Sequence, residues 1–216
     1  VVDKLWREFV SPQPDPARAE RIAAEFRGSG YSIAVALRAL LLQPEVVSSD
    51  PAHALVKSPI ELVVGLVRQS GAELVQPAGA AVAAAAMGQN LFGAPNVRGW
   101  PGGEAWINTQ TLLARKQFID RLLAPAAATM QTAAADAAAM PQQRLMRLAA
   151  QPARVEPQAW LAAAAQVHPE RPLGADELAR LAASLGSVAP ATPPASGTLA
   201  LDALRALLLD PSYQLK

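Results

Sequence analysis

The sequence predicts an all-α protein, an irregular or orthogonal array of about eight to ten helices with one long ordered loop rich in Gly, Pro and Trp. Three observations carry this. The chain is 51% hydrophobic and 17% charged over 216 residues, and Ala, the best helix former, dominates it. Apolar residues recur at helical spacing between strong start and stop signals. The period-two alternation and aromatic density of a β-sandwich are missing, with only four Phe, two Tyr and four Trp. The core is therefore expected to be mostly Leu, Val and Ala.

The first ten residues read as the end of a helix, with Val2, Leu5, Trp6 and Phe9 on one face. The alternating prolines of Ser11-Pro-Gln-Pro-Asp-Pro16 stop it. Asp15 caps the next helix, Pro16 takes its first position, and Gly28-Ser-Gly30 ends it. Ser32 opens a helix over Ile33–Leu42 that Gln43-Pro44 closes, and a short turn follows to Asp50. Ser58-Pro59-Ile-Glu61 is a capping box with Pro at N1, starting a helix to about Gln69 that buries Leu62, Val63, Leu66 and Val67. An almost pure Ala helix is expected over 77–90, and its small side chains allow a neighbouring helix to approach closely.

The segment Phe92–Asn108 holds four Gly, two Pro and two Trp and cannot be a regular helix. Asn108 or Thr109 then caps a helix to Leu123, with Leu112, Leu113, Phe118, Ile119 and Leu122 inward. The Ala-rich segment 125–155 reads as a helical linker. Trp160–Val167 and Ala175–Leu185 read as short helices, 187–196 as a surface linker, and Thr198–Leu209 as the last helix, with Leu201, Leu204, Leu207 and Leu208 inward. The organisation is thus 1–124 as a helical core carrying loop 92–108, 125–155 as linker, and 156–216 as C-terminal helices. One segment repeats: Leu37-Arg-Ala-Leu-Leu-Leu-Gln-Pro44 matches Leu204-Arg-Ala-Leu-Leu-Leu-Asp-Pro211, which reads either as a common way to end an apolar helix or as a duplicated helix pair.

Composition excludes several functions. The net charge is +1, and basic residues are scattered, so a nucleic-acid face has no support. The chain has no Cys, which removes disulfides, thiolate metal sites and thiol catalysis and suits either cytoplasm or periplasm. No apolar run reaches transmembrane length. The first residues lack the apolar stretch of a signal peptide, and a chain starting at Val1 within a helical pattern reads as a fragment or processed product of a longer protein. His53 and His168, without ligands at metal spacing, make no metal site. No Gly-x-Ser-x-Gly elbow, phosphate loop or βαβ dinucleotide unit occurs, and no cofactor is implied.

The candidate site lies on the loop and its neighbours. Trp100 and Trp106 in a Gly-rich loop can stack on a carbohydrate or other flat ligand, with Asn96, Arg98, Glu104 and Asn108 as hydrogen-bonding partners. The same residues also suit a structural role, with Trp plugs, Asn-to-backbone bonds and an Arg98–Glu104 pair holding a long loop. Lys57, which the capping box does not explain, is a possible rim residue. Arg115 can reach back to hold the loop or an anion.

Taken together, Lys4-Leu-Trp-Arg-Glu-Phe9, Gly30-Tyr-Ser-Ile33, Leu40-Leu-Leu-Gln-Pro-Glu45, Val56-Lys-Ser-Pro-Ile-Glu61, Met87-Gly-Gln-Asn-Leu-Phe92, Ala94-Pro-Asn-Val-Arg-Gly-Trp-Pro-Gly-Gly103, Trp106-Ile-Asn108 and Leu112-Leu-Ala-Arg115 resemble the C-terminal half of the DUF1800 family. The resemblance covers roughly residues 1–124 and the ending Leu207–Gln214, while 125–155 departs from the family pattern. It implies an N-terminal half with an Asn-Glu-Asn-Tyr-like motif and histidines, and an exported or envelope setting, periplasmic or secreted. It carries no catalytic residue across. Two classes of function follow. One is a non-catalytic binding or scaffold subunit that uses the Trp100–Trp106 loop and whose partner is the N-terminal half or another chain. The other is an enzyme or carbohydrate-active protein whose site that missing half completes. A fragment is further expected to expose apolar surface near Trp6 and Phe9.

Overall fold

A computed structural model describes residues 1–73, 77–124, 155–186 and 188–216. Among the described residues there are nine α-helices and no sheet: α1 Val2–Phe9, α2 Pro16–Gly28, α3 Ile33–Leu41, α4 Pro59–Ser70, α5 Pro77–Ala86, α6 Thr109–Leu122, α7 Pro157–Ala165, α8 Ala175–Leu185 and α9 Ala200–Leu209. Single 3-10 turns cover Pro44–Val47, Gly103–Trp106 and Pro211–Gln214. The all-α reading holds. The linker expected over 125–155 lies, apart from Val155, outside the described residues.

The local signals act as their chemistry requires. Asp15 Oδ1 accepts from the Arg18 N–H at 2.9 Å, with Pro16 in the first turn of α2. Ser58 Oγ accepts from the Glu61 N–H at 3.3 Å, and Glu61 Oε2 accepts from the Ser58 N–H at 2.8 Å, the reciprocal pair of a capping box. Ser32 precedes α3 without a capping hydrogen bond from its side chain.

Two apolar clusters form. Val2, Trp6, Val10, Ala19, Ile22, Phe26, Ala36 and Leu40 join α1, α2 and α3. Trp6 is fully buried and its indole N–H donates to Ser11 Oγ at 2.8 Å, which satisfies the one polar atom of the side chain. Only Phe9 of the pair expected on an exposed face is exposed. The larger cluster joins α4 to α9 around Leu62, Leu66, Met87, Phe118, Ile119, Trp160, Leu161, Leu181 and Leu204, and so draws on both sides of the 125–155 segment.

Both copies of the repeated segment fold alike. Each is a helix, then an extended residue, Gln43 or Asp210, and a 3-10 turn with Pro first, although α3 stops at Leu41, one residue short of the point where α9 ends. Their surroundings differ: α3 packs on α1 and α2, whereas α9 packs on α6, α7 and α8.

In α6 the buried stripe is Thr111, Arg115, Phe118, Ile119 and Leu122. Leu112 and Leu113, expected inward, are 43% and 55% exposed. The helix is rotated relative to its hydrophobic pattern because two polar side chains with buried partners hold the inward positions. Val67 and Leu201 are likewise only partly buried.

A C-terminal clasp and an exposed loop

The chain entering α4 is held by the C-terminal residues. Leu55 and Lys216 exchange both backbone hydrogen bonds, at 3.0 and 2.7 Å, and the Lys57 N–H donates to the Gln214 carbonyl at 2.8 Å. The Lys57 ammonium donates to the Tyr213 carbonyl at 2.7 Å and sits 3.8 Å from the Tyr213 ring centroid, a cation–π contact. Burial, reinforced by the nearby Arg115 charge, brings the Lys57 pKa down to about 8. Burial raises that of Tyr213, whose hydroxyl donates to Gln69 Oε1 at 2.9 Å.

Arg115 is 1% exposed. Its Nη1 donates to Gln214 Oε1 at 3.0 Å and its Nη2 to the Lys57 carbonyl at 2.8 Å, while Nε has no partner. Burial lowers its pKa. Among the described residues no carboxylate pairs with Arg115, so its charge is met by two neutral oxygens alone. The expectation that Arg115 reaches back to the loop is corrected: it reaches to the C-terminus, because its inward position in α6 faces that segment. Glu61 completes the clasp through an ion pair with Lys216. Burial pushes its carboxyl up, yet the Lys216 ammonium and the Ser58 N–H hold it below its ordinary value.

The loop is anchored at both ends. Met87 is buried, Gln89 Oε1 accepts from the Ile60 N–H at 3.0 Å, and Gly88 takes a φ of +101° where a Cβ would stand 3.9 Å from the Trp106 ring. Trp106 is buried and its carbonyl accepts from the Thr111 hydroxyl at 2.9 Å. Asn108 caps α6, its Oδ1 accepting from the Thr111 N–H at 3.0 Å.

Between these anchors the loop faces outward. Asn96 Oδ1 accepts from the Arg98 N–H at 2.8 Å in a side-chain turn that leads into Gly99 at φ +87°. Arg98 and Glu104 are exposed, and the expected pair between them does not form. Trp100 is half-buried. Phe92 and Val97 are 100% and 105% exposed, and Phe92 adopts a left-handed φ of +63°. The eight candidates therefore divide. Lys57 and Arg115 meet in the clasp, Trp106 and Asn108 anchor the loop, Asn96 shapes it, and Arg98, Trp100 and Glu104 lie on its outer part. No hydrogen bond, ion pair or ring contact among the described residues joins residues 96–104 to Lys57 or Arg115.

Titratable chemistry elsewhere is sparse. His53 Nδ1 lies 3.4 Å from Ser48 Oγ, and exposed His168 lies 3.1 Å from Gln158. Among the described residues no three His, Asp or Glu side chains are grouped to hold a metal ion, and no helix is long and apolar enough to cross a membrane. Phe92, Val97, Tyr213, Gln214 and Asp210 fall within sequence motifs but are not among the candidate site residues that the sequence offers. A Leu-Phe pair followed by Gly, Ala, Pro and Asn, at the start of a segment with no helical pattern to bury it, is the signal that could have marked Phe92.

The model of the family described as protein of unknown function (DUF1800) matches residues 1–215. This chain belongs to the DUF1800 family. The match also covers 125–155, which the motifs alone left outside the resemblance. No curated protein and no solved structure matches the chain. In this DUF1800 member the motif Val56-Lys-Ser-Pro-Ile-Glu61 is accounted for by the clasp and the helix cap, and Met87-Gly-Gln89 with Trp106 by the loop anchors. Among the motif residues given no such internal role are those on the outer part of the loop, with Phe9, Leu41, Leu112 and Leu113 exposed elsewhere.

Proposed function

We propose that this DUF1800 chain is a non-catalytic binding or scaffold subunit in an exported or envelope setting, and that loop 92–108 is its contact surface. The observation that supports this best is Phe92, a large apolar side chain left wholly in water on a left-handed backbone conformation that Gly, and less often Asn or Asp, adopts readily. Val97, the half-exposed Leu91, and Leu112 and Leu113 just beyond the loop add apolar surface of the kind that partners cover. The buried clasp argues for a structural role for Lys57 and Arg115, since each already bonds to the C-terminal segment or the entry to α4 within the chain.

A photo-crosslinking residue placed at 92, at 97 and, as a control, at exposed Arg180 tests this in cells. A discrete adduct from the loop positions only is the expected result. No adduct, or the same adduct from position 180, rejects the reading. Fractionation of the tagged chain tests the envelope setting, and recovery only with cytoplasmic markers would reject that part.

The enzymatic or carbohydrate-active reading draws on Trp100, a partly exposed indole on the same loop as Arg98 and Glu104, neither of which is ion-paired among the described residues. A sugar stacked on it would quench or shift indole emission saturably in the wild type and not in Trp100→Ala.

A further inference from the structure

The repeated segment places Arg38 of α3 where α9 has Arg205. Arg205 is met by a helix packed against it: its Nε donates to Asp120 of α6 at 2.9 Å and its Nη2 lies 2.8 Å from the same carboxylate. The leucines beside it are covered, with Leu208 fully buried and Leu209 packed against the main core. Among the described residues Arg38 meets no such helix. It is exposed and has no ion pair or hydrogen bond among the described residues. Leu41 and Leu42, the counterparts of Leu208 and Leu209, are 50% and 74% exposed.

Leu42 lies in a groove of about 460 Å3 between α2 and α3, lined also by Arg21, Ile22, Val35, Arg38 and Ala39. Val35, Ala39 and Leu42 follow helical spacing and form an apolar floor and wall with Ile22. Arg18, at one end, is already held by Glu45 and Asp15. Arg21 has no partner among the described residues, and Glu25 is the acidic side chain of the lining. The groove is thus apolar below and basic at its lip, the complement of a helix with an apolar face edged by carboxylates.

We propose that the groove between α2 and α3 docks an acidic amphipathic helix of a partner protein, which sets a carboxylate against Arg38, as α6 does with Asp120 against Arg205, and covers Leu42 and Val35. This surface is separate from loop 92–108, and its test does not depend on the loop's role.

The test is titration of the chain into a labelled helical peptide of leucine and glutamate, beside a twin with lysine in place of glutamate. The glutamate peptide is expected to bind, and to bind more weakly as salt rises. Arg38→Glu should weaken it at least about tenfold and gain affinity for the lysine twin, while Arg180→Glu on α8 changes neither. Arg38 has no hydrogen bond or ion pair among the described residues to lose, so circular dichroism of the variant should match the wild type, and Leu42→Asp gives a second lesion at the same place. Failure of the glutamate peptide to bind, or equal binding by wild type and Arg38→Glu, overturns the proposal. Concentration-dependent self-association that Arg38→Glu abolishes would also overturn it, since the occupant would then be a second copy of this chain.

Discussion

Arg115 and Gln214, 99 residues apart in the sequence, meet in the interior at 3.0 Å. The bond joins the middle of α6 to the last turn of the chain and gives a buried guanidinium one of its two acceptors. Gln214→Ala removes that acceptor and leaves the guanidinium with one protein oxygen. The expected cost is about 2 kcal/mol, the range for a lost hydrogen bond to a buried charged group, read as a lower urea midpoint. Arg115→Lys should not behave as a conservative change, because an ammonium cannot span Gln214 Oε1 and the Lys57 carbonyl together. A midpoint unchanged in Gln214→Ala would remove the clasp from the account of stability.

Lys57 makes the clasp sensitive to alkaline pH. Its pKa falls from 10.5 to about 8 on folding. Between those values the unfolded chain holds a proton that the folded chain has released, so stability rises with pH across that window. Tyr213 acts in the opposite sense above its ordinary value near 10, where the folded chain keeps a proton that the unfolded chain loses. The wild type should therefore gain stability from about pH 8 to about pH 10. Lys57→Met should lose that rise, a difference of roughly 1–2 kcal/mol after discounting for partial exposure. Denaturant midpoints at several pH values check it, and parallel profiles for the two proteins would contradict it.

Phe92 and Trp106 should separate binding from stability. Phe92→Gly removes an exposed side chain from a left-handed position, so strain of about 1 kcal/mol is relieved while the freer unfolded chain takes back a similar amount. The melting temperature should stay the same or rise slightly, while the partner adduct expected from Val97 disappears. Trp106→Ala, at the buried anchor, should cost about 3–5 kcal/mol. A strongly destabilised Phe92→Gly would mean that the side chain is packed rather than displayed.

What could be read from the sequence was what is decided within one helical turn. The caps at Asp15, Ser58 and Asn108 follow from residues three positions apart, and each forms. The prolines that end α3 and α9 act within the same range. The rotation of α6 was not legible, because hydropathy favours Leu112 and Leu113 over Thr111 and Arg115 as inward residues. Only partners from outside the helix reverse that order: the Trp106 carbonyl for Thr111, and Lys57 with Gln214 for Arg115. For the same reason Arg115 read as a support for the loop beside it in sequence, when its acceptors come from the entry to α4 and the C-terminus. The loop residues were found by composition, yet composition did not separate the anchoring Trp106 from the displayed Phe92.

Asp210 gives the fold an acid-labile joint. It is almost fully buried at the end of α9, where Oδ1 accepts from the Ala191 and Ser212 N–H groups at 3.0 and 2.9 Å, and Oδ2 from the Thr192 N–H and hydroxyl, both at 2.8 Å. Burial alone would push the carboxyl up, but these donors from Ser212, Ala191 and Thr192 hold it far below the usual carboxylate range. The stabilisation is therefore present above the unfolded value near pH 4 and is lost as pH falls below it. Asp210→Asn keeps the shape but offers one acceptor oxygen to four donors, and should cost on the order of 2 kcal/mol at neutral pH. Its repeat counterpart Gln43 has no comparable set of donors, so Gln43→Ala should cost well under half as much. Acid titration followed by tryptophan emission should show the wild type losing stability below about pH 4 more steeply than Asp210→Asn, and equal slopes would place the acid sensitivity elsewhere.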